Sequence, residues 1–192
     1  MQTGCHEWCR PDGMKSMIRP AVRSDAAALL EIYAPYVVGS SFTFELEAPS
    51  VAEFGDRIEQ ISAKTAWLVC ERGGMLAGYA YASEHRSRKA YQWSVEVSVY
   101  VREAFRNQGV ARELYGILFE RLRQLGYFNA YAGITLPNGP SVALHESLAF
   151  ESIGVYRSIG YKLGAWHDVG WWQLQLQPYV ENPPQPNLPT LG

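Results

Sequence analysis

The stretch Arg106-Asn107-Gln108-Gly109-Val110-Ala111 decides how this 192-residue chain is interpreted. It follows a segment of alternating valines that predicts a strand ending at Val101, and it opens an apolar-striped segment, Val110 to Leu125, that predicts an amphipathic helix. Such a strand–loop–helix turn aims free backbone N–H groups and the positive end of the helix dipole at one point. Gly109 lets the main chain approach a ligand closely, and the small Ala111 keeps the first helical turn open. The stretch therefore predicts a cradle for a diphosphate group.

The composition indicates a folded globular chain of single-domain size. Of its residues, 47% are hydrophobic and 13% aromatic, which is typical of a packed core. The formal net charge of -2 gives no broad basic surface for nucleic acid or an anionic membrane. The apolar runs are too short to span a bilayer. The three cysteines do not form a disulfide framework. We therefore expect no nucleic-acid or membrane partner and a cytoplasmic location.

The two ends of the chain differ in pattern from its middle. Residues 1–16 are expected to be a mobile N-terminal extension, residues 17–177 the folded domain, and residues 178–192 an extended, unpacked proline-rich tail. The extension contains Cys5, His6 and Cys9, which are close enough to suggest a metal site. A structural zinc site needs four ligands, and the remaining cysteine, Cys70, falls in a predicted buried strand. No metal is expected.

Helices and strands alternate through the middle of the chain. Asp25 precedes the first helix as a candidate cap, and Ser50 with Glu53 forms a capping box before the second. Gly73 and Gly74 separate two apolar runs, as in a hairpin. The predicted strands are Ile18–Val22, Ala66–Glu71, Met75–Ser83, Tyr91–Val101, Tyr131–Leu136, Ser152–Ser158 and Trp171–Leu176, and the predicted helices are Ala26–Val38, Val51–Ser62, Val110–Leu125 and Pro140–Leu148.

The cradle pattern, in which glutamine or arginine is followed three residues later by glycine and five later by glycine or alanine, resembles the coenzyme A loop of the GCN5-related N-acetyltransferases. The segments Ala90–Glu96, Leu136–Glu146 and Gly160–Val169 are similar to the phosphinothricin N-acetyltransferase branch of that superfamily. The resemblance extends from Ile18 to about Gln177. It implies a single-domain α/β (α+β) acetyltransferase fold with a mixed, mostly antiparallel central sheet flanked by helices, and with coenzyme A bound at splayed central strands.

The same resemblance implies an activity. Members of that branch transfer acetyl from acetyl-CoA to the α-amino group of phosphinothricin, methionine sulfoximine or related glutamate-like amino acids, which is the basis of herbicide resistance. It also implies a homodimer with a small amino-acid acceptor as its partner. No cysteine falls where a covalent acetyl carrier is expected, which favours direct transfer in a ternary complex.

Glu96 is the predicted general base. An amine attacks a thioester only as the free base, so a group must accept its ammonium proton directly or through water. On the central strand Glu96 points away from the valines, and shares a face with Ser94, Ser98 and Tyr100. The alternative is a carboxylate paired with an arginine at a strand edge.

His145 is the second catalytic candidate. In related acetyltransferases the residue seven positions after the helix-opening asparagine is often a tyrosine that protonates the departing thiolate. Counting from Asn138, that position is His145 here, as in the phosphinothricin branch. Histidine donates or accepts a proton near neutral pH, so it fits a general acid or a second base. The alternative is a helix histidine that only bonds Glu146 or a backbone group.

The resemblance also assigns the coenzyme contacts. Main-chain groups of one strand would pair with the pantetheine arm, and one of their N–H groups could polarise the thioester carbonyl. The cradle loop would hold the diphosphate, and the start of the following helix the pantetheine side. These residues are Val99, Tyr100 and Val101 on the strand, Asn107, Gln108, Gly109, Val110, Ala111 and Arg112 in the cradle, and Asn138 and Ser141 on the helix. Two departures are Ala111 as the last loop residue, which the pattern permits, and Ala149-Phe150 in place of Gly-Phe.

The acceptor pocket is predicted before the central strand. Arg86, Arg88 and Lys89 form the densest basic cluster of the chain, and arginine binds carboxylate and phosphinate oxygens in a bidentate manner. Arg88 matches the branch pattern best. Neighbouring Ala90 and Tyr91, with Phe44, would complete the pocket. The alternative is a solvated loop of charges.

Other functions stay open at this point. The chain could acetylate another small amine or amino acid, although the basic cluster disfavours a polyamine because like charges repel. It could also be a coenzyme A-binding regulatory module without turnover, which the presence of Glu96, His145 and the cradle disfavours. A nucleic-acid binder would need a basic stripe and aromatic stacking platforms, and neither is evident.

Overall fold

The computed structural model describes residues 6–9 and 15–189. Their helices and strands follow the predicted alternation. The strands are β1 (His6–Cys9), β2 (Lys15–Pro20), β3 (Ala66–Arg72), β4 (Met75–Glu84), β5 (Ser94–Val101), β6 (Asn129–Leu136), β7 (Glu151–Lys162) and β8 (Ala165–Gln175). The helices are α1 (Ala26–Gly39), α2 (Val51–Ser62), α3 (Val110–Leu125) and α4 (Gly139–Glu146).

The described strands form one sheet of eight in the order β1-β2-β3-β4-β5-β6-β8-β7. Neighbouring strands are antiparallel, with the exception of β5 and β6, which are parallel. A parallel pair needs a crossover connection, and α3 supplies it. The predicted mixed, mostly antiparallel sheet flanked by helices is confirmed.

Each face of the sheet packs against helices because side chains alternate along every strand. In β3, Trp67 and Val69 join the core under α1 and α2, whereas Leu68 and Cys70 join the core under α3. The predicted stripes of α1 and α3 point inward accordingly. In β5 the buried Val95 belongs to the α3 side. Alternation therefore puts Glu96 on the opposite face, as predicted.

Helix ends agree with the sequence signals with one exception. The Ser50 hydroxyl accepts from the Glu53 N–H at 3.2 Å, and the Glu53 carboxylate accepts from the Ser50 N–H at 2.7 Å, so the capping box is confirmed. Asp25 occupies the N-cap position of α1 without capping it. Its carboxylate instead accepts two hydrogen bonds from Arg19, both at 2.8 Å, and the stronger ionic partner displaces the cap.

The bounds predicted for the first, the central and the last two strands were wrong. The first of these strands is Lys15–Pro20 instead of Ile18–Val22. The central strand begins at Ser94, because Lys89–Tyr91 forms a 3-10 turn instead of strand. The last two strands are longer than predicted and form a single hairpin, β7 and β8, around Leu163 and Gly164. Both of these turn residues have positive φ angles, 50° and 78°. A leucine in this region is uncommon, and this hid the turn from the sequence analysis.

Both ends of the domain make contacts beyond the predicted boundaries. Residues His6–Cys9, within the extension expected to be mobile, pair antiparallel with β2, whose unpaired edge offers hydrogen-bonding groups to an extended segment. The C-terminal tail was expected to be unpacked. However, the Trp93 Nε1 donates to the Pro184 carbonyl at 2.7 Å and the Asn187 N–H donates to the Leu125 carbonyl at 2.8 Å. These hydrogen bonds hold the tail on the domain up to that point.

Candidate active site

The central strands β5 and β6 separate part-way along their length. Their parallel ladder covers only three residue pairs, ending at Glu96 and Tyr131, although both strands continue for five more residues. The space between them is a cavity of about 470 Å³. Both strands, the start of α3 and α4 line it. A gap of this kind leaves main-chain groups of β5 facing a ligand instead of a neighbouring strand.

The predicted cradle closes one end of this cavity. Gly109 precedes α3 with a φ of 81°, and Asn107 has a φ of 58°. No side chain caps the helix, so its first N–H groups are directed to whatever lies in front of them. The predicted residues Asn107, Gly109, Val110, Ala111 and Arg112 line the cavity. Their arrangement suits a diphosphate, because the helix dipole and free N–H groups coincide there.

Gln108 lies differently from its neighbours and is absent from the lining. Its side-chain amide donates to the Ala104 carbonyl at 2.8 Å, and its own carbonyl accepts from Arg72 at 3.1 Å. Gln108 therefore shapes the loop, and its side chain is not among the groups presented to the cavity.

The predicted pantetheine contacts surround the middle of the cavity. Val99, Tyr100 and Val101 line it from β5. The Tyr100 ring packs against Tyr33 at 5.0 Å, so the main chain is what this residue can offer a ligand. The Val101 carbonyl accepts a hydrogen bond from the Tyr36 hydroxyl at 2.9 Å, so one of its two lone pairs is already engaged.

The other side of the cavity is the N-terminus of α4. Asn138 caps this helix: its side-chain oxygen accepts from the Ser141 N–H at 3.2 Å. Both residues line the cavity. The amide oxygen of Asn138 is engaged in this cap, whereas its NH₂ group can donate to a ligand.

His145 lies at the cavity wall with 3% of its surface exposed. Its Nδ1 lies 2.8 Å from the Ser141 carbonyl and its Nε2 lies 3.1 Å from the Tyr115 hydroxyl. A carbonyl only accepts, so Nδ1 carries the ring hydrogen and Nε2 accepts from Tyr115. Burial lowers the pKa of His145 below its ordinary 6.5. The ring is therefore neutral at pH 7, and its only N–H is already bonded to a backbone group.

Glu96 lies where β5 and β6 part, outside the cavity lining itself. Its side chain is 31% exposed. Its Oε1 accepts from the His85 Nδ1 at 2.9 Å and from the Arg86 Nη1 at 3.0 Å. Glu96 is thus paired with an arginine, as the alternative interpretation predicted. It also lies on β5 at the end of the ladder, next to the strand residues that line the cavity.

The predicted acceptor residues do not form one cluster. Arg86, Arg88, Lys89, Ala90 and Tyr91 are exposed in the turn before β5. Phe44 lies apart from them, with its ring 6.3 Å from that of His167. All six lie outside the lining of the cavity between the described strands. Arg86 alone among them contacts Glu96.

Comparison with known proteins agrees with this architecture. The family model described as "Acetyltransferase (GNAT) domain" matches residues 18–171. The chain belongs to the GNAT acetyltransferase family. The predicted acyltransferase class is thereby confirmed, and the following relatives confirm the resemblance to the phosphinothricin branch.

Two curated relatives and one solved structure illustrate that branch. A phosphinothricin N-acetyltransferase of Streptomyces viridochromogenes is 38% identical over 180 residues, covering 94% of this chain and 97% of the relative. An L-methionine sulfoximine/L-methionine sulfone acetyltransferase of Salmonella typhimurium is 32% identical, covering 85% and 96%. A GNAT phosphinothricin acetyltransferase of Sinorhizobium meliloti, solved in complex with acetyl-CoA, has a TM-score of 0.81 and 32% identity, covering 88% of this chain and 95% of the other.

Three residues of this GNAT chain were missed by the sequence analysis. Tyr115 is fully buried on the apolar stripe of α3. A buried tyrosine hydroxyl usually has a partner, so a tyrosine within such a stripe was a usable signal. His85 bonds Glu96, and its ring stacks on Tyr131 at 4.6 Å. Trp171 places a buried indole N–H, without a hydrogen-bond partner among the described residues, beside the His85 ring at 6.1 Å. Nothing in the local sequence indicates the last two, because the sheet brings them together.

The described residues offer neither a reactive cysteine nor a group of metal ligands. Cys70 is buried in the α3-side core, and burial raises the pKa of its thiol to about 11. It is therefore a thiol at neutral pH and a poor nucleophile. Cys5 lies outside the described residues, as does the side chain of Cys9. Among residues 16–189, no group of three or more His, Cys, Asp and Glu side chains is placed to hold a metal ion. No described helix is long and apolar enough to cross a membrane.

Proposed function

We propose that this GNAT enzyme transfers acetyl from acetyl-CoA to the α-amino group of phosphinothricin, methionine sulfoximine or a similar glutamate-like amino acid. The observation that carries the proposal is the course of the cavity. It begins at the proposed diphosphate cradle, runs between the splayed strands past His145, and extends to Val97 and Ala132, which directly follow the last ladder pair, Glu96 and Tyr131. Donor and acceptor groups would meet there. The names of the relatives support the acceptor class.

In this proposal the protein binds, orients and accepts a proton. Acetyl-CoA supplies the electrophilic thioester when bound. The cradle N–H groups from Asn107 to Arg112 would hold its diphosphate. The main chain of Val99 to Val101, with Asn138 and Ser141, would hold the pantetheine arm. These contacts would place the thioester carbonyl close to a main-chain N–H of β5, which would stabilise the oxyanion.

The acceptor would bind on the face of the sheet that carries Glu96. Glu96 suits a proton acceptor, since its Oε1 faces two donors, the His85 Nδ1 at 2.9 Å and the Arg86 Nη1 at 3.0 Å. With 31% of its side chain exposed, it can release that proton to solvent, directly or through water. Arg86 and Arg88 would bind the acidic groups of the amino acid, and the indole N–H of Trp171 offers a further donor for the same oxygens.

The role of His145 is narrower than the sequence indicated. A neutral ring whose only N–H is bonded to the Ser141 carbonyl cannot protonate a thiolate until Nε2 has gained a proton. Nε2 already accepts from Tyr115. We therefore propose that His145 acts as an accessory group with Tyr115, positioned on the thiol side of the cavity, and that Glu96 is the base.

The test is a thiol-release assay across a panel of amines. Phosphinothricin, methionine sulfoximine, methionine sulfone, glutamate and spermidine separate acidic amino acids from neutral ones and from a polycation. Turnover with the first three, and at most weak turnover with spermidine, supports the proposal. Preference for spermidine would contradict the acceptor class. Binding of coenzyme A by calorimetry without turnover of any amine would instead indicate a regulatory module.

Three further predictions belong with this proposal. A homodimer is proposed, since β7 forms the sheet edge and exposes Ile153, Val155, Ile159 and Tyr161, each 47–58% exposed. A cytoplasmic location and a contribution to herbicide resistance stay predictions from the resemblance. Growth of a sensitive host on phosphinothricin, with and without this gene, measures the last of these.

A further inference from the structure

Arg72, the last residue of β3, carries a buried charge that the reaction described above does not use. Its side chain is 0% exposed. The Nη2 donates to both carboxylate oxygens of Glu113 at 2.9 Å, and the Nη1 donates to the Gln108 carbonyl at 3.1 Å. The Nε donates to the Ser16 hydroxyl at 2.8 Å. All three nitrogens of the guanidinium are thus bonded, and two of them bond groups of the cradle region.

The bond to Gln108 fixes a peptide unit of the cradle. In a trans peptide the C=O and the following N–H point in opposite directions, and the Gln108–Gly109 bond is trans. Arg72 holds the Gln108 carbonyl toward β3. The N–H of Gly109 must then point to the opposite side of the loop, and Gly109 lines the cavity. Without Arg72 this peptide could rotate and present an oxygen to an anionic ligand.

The bond to Glu113 neutralises a charge in an unfavourable place. Glu113 lies in the first turn of α3, and its side chain is only 12% exposed. One of its oxygens is 3.8 Å from the position a Cβ would take on Gly109. A carboxylate there would repel a diphosphate at the same helix end. The bidentate pair with Arg72 cancels that charge and turns the carboxylate toward β3.

We propose that Arg72 is a positioning residue for the diphosphate of acetyl-CoA, acting through the Gln108 carbonyl and Glu113. The inference rests on the proposed function of the cradle. It makes β3, a strand remote from the chemistry in sequence, part of donor recognition. It predicts that loss of Arg72 weakens coenzyme binding more than it weakens the acceptor step.

Calorimetric titration with coenzyme A tests this on the full chain. Arg72→Met should weaken binding by about tenfold to a hundredfold, because it leaves a buried carboxylate unpaired beside the anion site. Arg72→Lys keeps the charge but cannot reach every partner, so its loss should be smaller. The double variant Arg72→Met/Glu113→Gln removes the unpaired charge and should recover part of the affinity. Ser16→Ala deletes the hydrogen bond from the Arg72 Nε to the Ser16 hydroxyl, which lies outside the cradle, and should bind coenzyme A like the wild type.

A second measurement separates positioning from general destabilisation. S-acetylpantetheine lacks the diphosphate, so Arg72→Met should lower kcat/KM for acetyl-CoA and leave that for S-acetylpantetheine within about twofold. Equal losses for both donors in Arg72→Met or Arg72→Lys, or unchanged coenzyme A binding in a folded Arg72→Met protein, would overturn the inference alone. A wild-type chain that does not bind coenzyme A would overturn the proposed cradle and the inference together.

Discussion

Glu96 is held by two hydrogen-bond donors and has a route to solvent. His85 and Arg86 both donate to its Oε1, so the carboxylate is held in one orientation while part of it stays accessible. A base that is oriented by neighbours and open to water can accept a proton from an ammonium substrate and release it again. Glu96 differs in this respect from Asp25 and Glu71. Both of those carboxylates pair with Arg19 and lie away from the cavity.

Replacement of Glu96 by glutamine keeps the shape of the side chain and removes proton acceptance. We expect kcat/KM at pH 7 to fall by roughly 10²–10⁴-fold. The loss should shrink as pH rises, because more of the amine then arrives deprotonated. Steady-state rates from pH 6 to 9 measure both effects. His145→Ala is the control: a loss greater than that of Glu96→Gln would reverse the two roles, and an unchanged pH profile in Glu96→Gln would refute the assignment.

Replacement of Arg88 by alanine tests anion recognition. Arg88 is exposed, so we expect the KM for phosphinothricin to rise about tenfold, which corresponds to the loss of one charge-assisted hydrogen bond near the surface. The KM for acetyl-CoA should stay nearly unchanged. Lys64→Ala, an exposed lysine between α2 and β3, is the charge-matched control. Equal losses for acceptors with and without an acidic side chain would contradict the idea.

Burial of His145 predicts an acid-side loss of stability. The unfolded histidine gains a proton near pH 6.5, whereas the pKa of the folded side chain is lower. Below pH 6.5 the unfolded chain therefore binds more protons, and the free energy of unfolding decreases as the pH is lowered, by up to about 1.4 kcal/mol per pH unit. Above pH 6.5 the ring is neutral in both states, so this pH dependence disappears. Urea unfolding at pH 5 and 7.5 should show a smaller pH dependence for His145→Asn than for the wild type. Equal slopes would show that His145 does not carry the effect.

At the scale of elements, the strand–loop–helix unit from β5 to α3 combines several backbone requirements. The loop turns through Asn107 and Gly109, both with positive φ, and the uncapped start of α3 faces the cavity. Arg72 reaches the same loop from β3. The proposed anion site thus depends on β3, β5 and α3 together, and Gly109 is a position where a side chain is strained by the positive φ.

Replacement of Gly109 by valine should weaken acetyl-CoA binding by at least about tenfold, because a β-branched residue at φ 81° is strained and would distort the loop before α3. Calorimetry with coenzyme A measures this. Gly116→Val is the control, since Gly116 lies within α3 and an added Cβ there meets nothing within 4 Å beyond its own helix backbone. Unchanged affinity in a folded Gly109→Val protein would rule out the cradle.

At the scale of the whole molecule, the sheet has an apolar edge in the β7–β8 hairpin. Along β7, side chains on both faces are exposed, and Trp166 across the hairpin turn is 65% exposed. A monomer rarely presents so long an apolar edge strand to solvent. Burial against a second copy of the same hairpin would remove both the edge and the apolar surface.

Replacement of Ile159 by aspartate should convert the proposed dimer into a monomer, because it buries a charge in the interface. Sedimentation velocity at micromolar concentration measures the mass. Met75→Asp, at a similarly exposed position (55% against 56% for Ile159) at the start of β4, should leave the mass unchanged. A wild-type chain that sediments as a monomer would contradict the proposal.

The sequence predicted the elements with strong local signals. The capping box at Ser50, the stripe of α3 and the Gly109 loop are encoded by neighbouring residues, whose chemistry acts within one or two turns. At two positions the residue type was misleading. Asp25 is typical of a helix cap, but its side chain bonds Arg19 instead. Leucine is not typical of a turn, but Leu163 adopts a positive φ in one. The first outcome depends on Arg19, which lies six residues earlier in β2, and the second on the pairing of β7 with β8 on either side of the turn.

By itself, then, the sequence determined the family, the order of the elements, the Gly109 loop before α3 and the face on which Glu96 lies, because periodicity and loop chemistry are local properties. Only the tertiary structure decided what each polar group touches. It paired Glu96 with His85 and Arg86, His145 with Tyr115, and Arg72 with Glu113. Their sequence separations are 11, 10, 30 and 41 residues. No local pattern spans such distances, and the pairing follows from strand register and helix packing.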